Sequence, residues 1–246
     1  TCGSPAFTLR IIGRWANVSQ GKGWGSTSVF YEVKAILSLL DFQNIRNLII
    51  FDVGANKGDW TTEGLKIFKE AHFYCFEPST HAFTLLSDRF KHCDQVISYN
   101  FALGSKIEKL ELYSDKPGSG FSSLLNRRMD HFGKEFFSQE IVEVKTLDDF
   151  IEQESVKPDI LKIDVEGFEL QVLKGCSKYL KEIKIVQFEF GGCNIDSRTY
   201  FQDFYYFFME KGFSIKRVSP NGLIDITSYS ESMETFRTTN YFAINS

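Results

Sequence analysis

Short apolar runs alternate along this chain with segments whose apolar residues fall three or four positions apart. The first kind reads as strand and the second as amphipathic helix. Val29–Leu40 has helical spacing. Leu48–Val53 predicts a strand, and Gly58–Glu70 the helix after it. His72–Glu77 ("HFYCFE") predicts a second strand, followed by a helix over Ser79–Lys91 that Ser79 can cap behind Pro78. Val96–Leu103 and Ile107–Tyr113 alternate on either side of "GSK" and predict a hairpin. Ile141–Lys145 predicts a further strand. Thr146 can cap a helix over Leu147–Glu154, whose first turn carries Asp148 and Asp149. A strand over Ile160–Val165, a helix over Phe168–Leu180 and a strand over Ile183–Phe190 follow. A helix over Thr199–Lys211 and strands over Phe213–Val218 and Tyr241–Ile244 complete the pattern.

Strands alternating with helices of about a dozen residues imply βαβ units and a parallel sheet covered on both faces. Ligands of such sheets bind beyond the carboxyl ends of the strands. That rule selects Asp52–Gly58, Glu77–Ser79, Asn100–Ala102, Asp164–Gly167 and Glu189–Gly192. Two stretches fall outside the pattern. Residues 1–27 look irregular and hold the glycine-rich Gln20–Ser26, which suits a flap or an N-terminal arm. Residues 114–140 are polar, with glycines and the pair Arg127 and Arg128, and read as an insertion that could serve as a substrate lid.

Composition narrows the class. With 246 residues, 43% of them hydrophobic and 25 of them Phe, the chain can build the core of one large domain. The expectation is a single domain over 1–246, with an N-terminal arm and helix over 1–45. A net charge of −4 with mixed signs points away from nucleic acid and from a disordered acidic tail. No apolar run approaches the roughly 18 residues of a membrane span, and no signal peptide is visible, so a cytoplasmic protein is expected. Position 1 is Thr rather than Met, so the natural start is expected upstream. The five cysteines (Cys2, Cys75, Cys93, Cys176 and Cys193) are scattered without CxxC, which favours plain thiols over zinc or disulfides.

The candidate chemistry centres on "IIFDVGANKGDW", Ile49–Trp60. A dinucleotide turn reads G-x-G-x-x-G; aligned on Gly54, its second and third glycines become Asn56 and Asp59. The second glycine lets backbone approach a pyrophosphate. Asn56 obstructs that approach, and Asp52 and Asp59 would repel the phosphates. The phosphate loop G-x-x-x-x-G-K-[ST] fails too. A nucleoside cofactor without phosphates fits better, and S-adenosylmethionine, cationic at its sulfonium and amino group, fits best. Glu77, 23 residues after Gly54, ends the next strand and can accept from ribose hydroxyls.

"FDVGANKGDWT", "FEPSTHAFTLL", "FALGSKIEKLELY", "VKTLDDF", "PDILKIDVEGFELQVLKG" and "VQFEFGG" occur in that order. Together they resemble the FkbM family of S-adenosylmethionine-dependent methyltransferases, from about residue 20 to the end. "GKGWG" and "NYFAI" are similar to parts of it as well. The resemblance implies a class I, Rossmann-like α/β fold with a mostly parallel seven-stranded sheet. It implies methylation of a hydroxyl on a sugar, glycan, glycolipid or related natural product. By motif position, Asp52, Gly54, Ala55, Asn56 and Gly58 would form the methionine-side turn. Glu77 would hold the ribose, Asn100 to Ala102 would border the adenine, and Asp164 would lie beside the reacting end.

A sugar hydroxyl is a poor nucleophile, so a base is expected, with Asp164, Glu189 and Glu166 as candidates. Glu166 could instead sit in the first turn of the next helix, facing its dipole. Asp164 and Glu189 with Asn194 or Asp196 could hold Mg²⁺ through oxygens, but no spacing compels a metal. Of the histidines only His131, in the insertion, could reach a substrate. The arginines of the insertion could meet an acidic glycan or simply face solvent. "TYFQDFYYFF" (Thr199–Phe208) has aromatics that cannot all face one way on a helix. Most should be core, and the outward ones could stack on sugar or form a dimer contact. Two rival readings stay open: an NAD(P)-dependent oxidoreductase, which Asn56 disfavours, and a non-catalytic cofactor-binding module of a larger protein.

Overall fold

The structure, a computed structural model, describes residues 17, 19–25, 29–40 and 46–245. Cys2 and most of the expected N-terminal arm, including Ser26, lie outside the described residues. Eleven strands and seven α-helices are used below: β1 Ile49–Val53, β2 His72–Phe76, β3 Val96–Tyr99, β4 Ala102–Leu103, β5 Glu108–Ser114, β6 Phe137–Lys145, β7 Ile160–Ile163, β8 Ile185–Phe190, β9 Phe213–Ser219, β10 Gly222–Ile226 and β11 Thr239–Asn245. The helices are α1 Val29–Leu37, α2 Asp59–Ile67, α3 Thr80–Phe90, α4 Leu147–Glu154, α5 Glu169–Lys174, α6 Cys193–Ser197 and α7 Phe201–Met209.

The main sheet runs β10-β9-β11-β8-β7-β1-β2-β3. Its five strands from β8 to β3 are parallel, and β11 returns antiparallel between β8 and β9. The expected seven strands are joined by an eighth, β10, which forms a hairpin with β9. Strand order reverses between β1 and β7, so the loops after these two strands diverge and leave a crevice.

Period-two alternation divides the side chains between the faces. Phe51 and Val53 of β1, Leu161 and Ile163 of β7 and Phe188 and Phe190 of β8 enter one core layer. Ile50, Ile160 and Ile185 enter the other, with Val33 and Ile36 of α1 and Trp60 of α2. On α7 the buried residues Phe201, Phe204, Tyr205 and Phe208 follow the helical period, so the aromatic run is mainly core. Tyr200 and Tyr206 face outward. Thr146 caps α4 through the Asp149 amide at 3.1 Å, and Ser79 caps α3.

The expected hairpin around "GSK" does not form. β3 ends at Tyr99 in the main sheet, and β4 pairs in parallel with β6. β5 is antiparallel to the other edge of β6, so the small sheet has the order β4-β6-β5. The connection from β5 to β6 is the expected insertion. The Gln20–Gly25 turn packs on the C-terminal strands: Gly25 N–H donates to Thr238 O, and Gly23 N–H to Thr239 Oγ1, both at 3.0 Å. No helix among the described residues is long and apolar enough to cross a membrane.

Candidate active site

An open cleft of about 650 Å³ lies over the carboxyl ends of β1, β2 and β7. The turn after β1 supplies Gly54 and Asn56, and the end of β2 supplies Glu77 and Pro78. Phe101, Ala102 and Leu103 form an apolar wall, and Asp164, Val165 and Glu166 close the β7 side. The insertion covers it with Ser119, Gly120, Ser122, Ser123 and Leu124. Among the described residues no lysine or arginine lines the cleft, and its charged residues are three acids.

The β1 turn is fixed from several sides. Gly54 and Ala55 both donate N–H to Phe76 O at 3.0 Å. Gly54 has φ +75°, and a Cβ there would lie 1.9 Å from the Asp164 carbonyl oxygen. Asn56, also in the left-handed region at φ 46°, donates its N–H to Glu77 Oε2 at 2.8 Å. Its side chain donates to Ser119 O at 3.3 Å and so ties the turn to the insertion. Gly58 begins α2 at φ +83° and is pressed against Phe90 and Leu86.

Glu77 also accepts from Ser79 N–H at 2.8 Å, so each carboxylate oxygen holds one backbone donor and keeps one free lone pair. Burial raises its pKa to about 7, against the pull of these two amides. Asp52 is fully buried behind the turn, where it accepts from Thr61 Oγ1 at 2.7 Å and pairs with Lys162 Nζ at 2.9 Å. Ala55 and Gly58, like Asp52, lie behind the lining rather than in it. Asn100 does not line the cleft either. Its Nδ2 donates to the carbonyls of Glu77 at 2.9 Å and Pro78 at 3.0 Å, pinning the loop after β3 to the end of β2.

On the β7 side, Asp164 presents a half-exposed carboxylate, 3.7 Å from Lys162 Nζ. Glu166 is not in the first turn of a helix. It occupies a tight turn at φ 53°, two residues before Phe168 caps α5, and pairs with Arg127 of the insertion. Burial and Asp164 raise its pKa to about 7. The helix-entry acid is Glu169, whose Oε1 accepts from Val165 N–H at 3.1 Å and Gly167 N–H at 3.0 Å. Burial raises it to about 7 as well. Glu189, on β8 opposite Asn240, lies behind this rim. Burial, then repulsion from Asp164, Glu166 and Glu169, pushes its pKa well up. Arg127 pairs with Asp196 too, at 3.4 Å, and Asn194 Oδ1 accepts from Gly191 N–H at 2.8 Å. Among the described residues no three His, Cys, Asp or Glu side chains are grouped to hold a metal. His131 is exposed against Phe132. Arg128 is exposed and paired with Asp130, whereas Arg127 is buried.

Sequence reasoning passes over Lys162, Glu169, Glu32, Ser119 and Ser123. Glu32 of α1 accepts from Gln187 Nε2 at 2.9 Å, and burial, then Asp164, raise it to about 8. Ser123 Oγ donates to Glu166 O at 2.9 Å, a second clasp between insertion and β7 turn.

Residues 52–215 match the model of the methyltransferase FkbM domain. The chain is 30% identical over 139 residues to the hexuronic acid methyltransferase AglP of Haloferax volcanii, covering 56% of this chain and 54% of that protein. It is 22% identical over 153 residues to the 2-O-methyltransferase NoeI of Sinorhizobium fredii, covering 58% of this chain and 63% of that protein. The matched stretch thus spans less than two thirds of either relative. The crystal structure of an FkbM methyltransferase from Methylobacillus flagellatus superposes with a TM-score of 0.50 at 15% identity, over 96% of this chain and 60% of that one, and shares the fold. The chain belongs to the FkbM methyltransferase family, with the class I methyltransferase fold.

Proposed function

We propose that this protein transfers the methyl group of S-adenosylmethionine to a sugar hydroxyl. The observation that carries the reading is the cleft at the β1/β7 switch point, whose charged lining among the described residues is Glu77, Asp164 and Glu166, with no basic side chain. Such a lining suits a nucleoside with a sulfonium and an amino group, and it would repel the pyrophosphate of NAD(P). The sugar as acceptor is supported by the names of the two relatives, one a hexuronic acid methyltransferase and the other a 2-O-methyltransferase.

The residues present fit that cofactor. Glu77 has one free lone pair on each oxygen for the ribose hydroxyls. Phe101, Ala102, Leu103 and Pro78 offer the adenine an apolar slot. The Gly54–Asn56 turn takes the methionine end. When bound, S-adenosylmethionine supplies a methyl group already activated as a sulfonium substituent. The chain then has to orient the acceptor and receive its proton. Asp164 is the base in this reading, because it alone combines a place in the lining with a half-exposed carboxylate, just beyond the end of β7. Ser119, Gly120, Ser122, Ser123 and Leu124 of the insertion partly cover the bound groups.

The test is radiolabelled methyl transfer from S-adenosylmethionine to a panel of uronic acids, neutral hexoses and glycolipids. Label in a sugar ether is the expected product. Hydride transfer with NAD(P), or binding of S-adenosylmethionine with no transfer to any hydroxyl compound, would overturn the reading.

A further inference from the structure

Four strands carry a polar row beneath the β1 turn. Cys75 of β2, Asp52 of β1, Lys162 of β7 and Gln187 of β8 are successive register partners. Apart from Glu189, two residues further along β8, their sheet face is filled by the apolar Ile50, Phe73, Ile160 and Ile185. Thr61 of α2 bonds to Asp52 and lies 3.2 Å from the Cys75 thiol, and Glu32 of α1 accepts from Gln187. Lys162 is at the centre of the row, with its side chain 4% exposed.

Burying an ammonium group costs more than burying a hydrocarbon chain of the same length, even when it is paired. Packing alone would therefore favour Leu or Met at position 162. What the lysine adds is reach. Its Nζ contacts Asp52 Oδ1 at 2.9 Å and donates to Gly54 O at 3.0 Å. It lies 3.5 Å from Val53 O and 3.7 Å from Asp164 Oδ2. The ammonium thus hydrogen-bonds the carbonyls of the β1 turn and lies within ion-pair distance of both the buried acid and the carboxylate at the rim. Asp52 balances the charge of Lys162, which leaves the charge of Asp164 uncompensated by it at the cleft.

We propose that Lys162 is a positioning residue that couples the Gly54 turn to Asp164, so that the methionine end of the cofactor and the reacting carboxylate are set by one buried ammonium. The inference rests on the cofactor reading above and adds a residue that contacts neither cofactor nor acceptor.

The experiment is a double-mutant cycle on binding, read by calorimetry with S-adenosylmethionine and S-adenosylhomocysteine. It uses wild type, Lys162→Met, Asp164→Asn and the double variant. Coupled residues give non-multiplying effects, whereas independent ones multiply. Asp164→Asn should weaken S-adenosylmethionine about tenfold in the wild-type background and less than about twofold beside Lys162→Met. Equal factors in both backgrounds would overturn the inference, because a lysine that merely neutralises Asp52 leaves Asp164 independent. Should Lys162→Met not fold, the same cycle is run with Asp52→Asn throughout, which leaves no unpaired buried acid; the criterion is unchanged. Failure of wild type to bind either nucleoside would remove the cofactor reading and this inference together. Wild-type binding with multiplying losses removes the inference alone.

Discussion

The backbone carbonyl of Asp164 occupies the place where a Cβ of Gly54 would be, with 1.9 Å between the two atoms. The turn proposed to meet the cofactor and the strand end that carries the candidate base therefore touch through backbone. A side chain at position 54 would clash with the backbone that follows β7, and not merely fill cofactor space.

Gly54→Ala should accordingly destabilise the protein as well as abolish nucleoside binding. The left-handed φ of +75° alone costs a non-glycine residue about 1–2 kcal/mol, and the backbone clash adds to that. A thermal melt without ligand should fall by several degrees, on the order of 2–4 °C per kcal/mol for a chain of this size. An unchanged melting point would show that β1 and β7 tolerate wider spacing.

Glu77 links cofactor binding to pH. In the free protein burial holds its pKa near 7, and ribose hydroxyls would favour its ionised form. Affinity for S-adenosylhomocysteine should therefore rise from pH 6 to pH 8, with proton release on binding near pH 7. Calorimetry in two buffers of different ionisation enthalpy measures that release. Glu77→Ala should lose about 1.5–3 kcal/mol, roughly ten- to a hundredfold in affinity, and saturating cofactor should restore turnover. A pH-independent affinity in wild type would take Glu77 off the ribose.

The same burial governs stability. Glu77, Glu166 and Glu169 are raised to about 7, and Glu32 to about 8, from an ordinary value of 4.5. A folded-state pKa above the unfolded one stabilises below the unfolded value, and that stability is lost as pH rises through the folded value. The ligand-free protein should thus melt highest near pH 5 and lose stability steadily towards pH 8. A melting point that rises over this window would mean that these carboxylates are better solvated than the structure implies.

The insertion is held to the rim by contacts that its sequence does not announce. Asn56 and Ser119 join it to the β1 turn, while Ser123 and Arg127 join it to Glu166. Arg127→Ala leaves Glu166 and Asp196 without their cation. Amide exchange over residues 119–128 should accelerate while β1, β7 and β8 stay protected. Affinity for S-adenosylhomocysteine should fall by about tenfold as the cover loosens. Unchanged exchange in that segment would show that the clasp is redundant.

What sequence can reveal follows from range. Gly54, Glu77 and Asp164 stand at strand ends that local alternation marks, so the edge they share is legible in the sequence alone. Lys162 is not, because "ILKID" shows only a charge within an apolar run; its partner Asp52 is supplied by β1–β7 pairing. Glu32 and Gln187 are 155 positions apart, beyond any periodic signal. The "GSK" turn misleads for the same reason. Three polar residues between alternating runs look like a hairpin, but Ala102 pairs with Val144 and Gly104 N–H donates to Lys145 O, which removes β4 from β5. β10 escapes notice because Gly222–Ile226 alternates too briefly to stand out.

The last prediction separates the two candidate bases. Asp164 lines the cleft with a half-exposed carboxylate, while Glu189 sits behind it with a pKa raised by burial and by its acidic neighbours. A base must reach the acceptor hydroxyl directly or through one water, and Asp164 meets that condition more closely. Asp164→Asn keeps the shape but loses the proton acceptor, so kcat at saturating cofactor should fall by about 10²-fold or more. Glu189→Gln removes a group whose ionised form is already disfavoured. It should cost less than about tenfold in kcat. Steady-state kinetics on both variants, with an acceptor from the sugar panel and S-adenosylmethionine at saturation, reads the difference. A large kcat loss in Glu189→Gln with near-normal turnover in Asp164→Asn would move the base to β8 and leave Asp164 to the cofactor. Full turnover in both would leave no base among these acids, and methyl transfer would then rest on positioning by the Gly54 turn and the insertion.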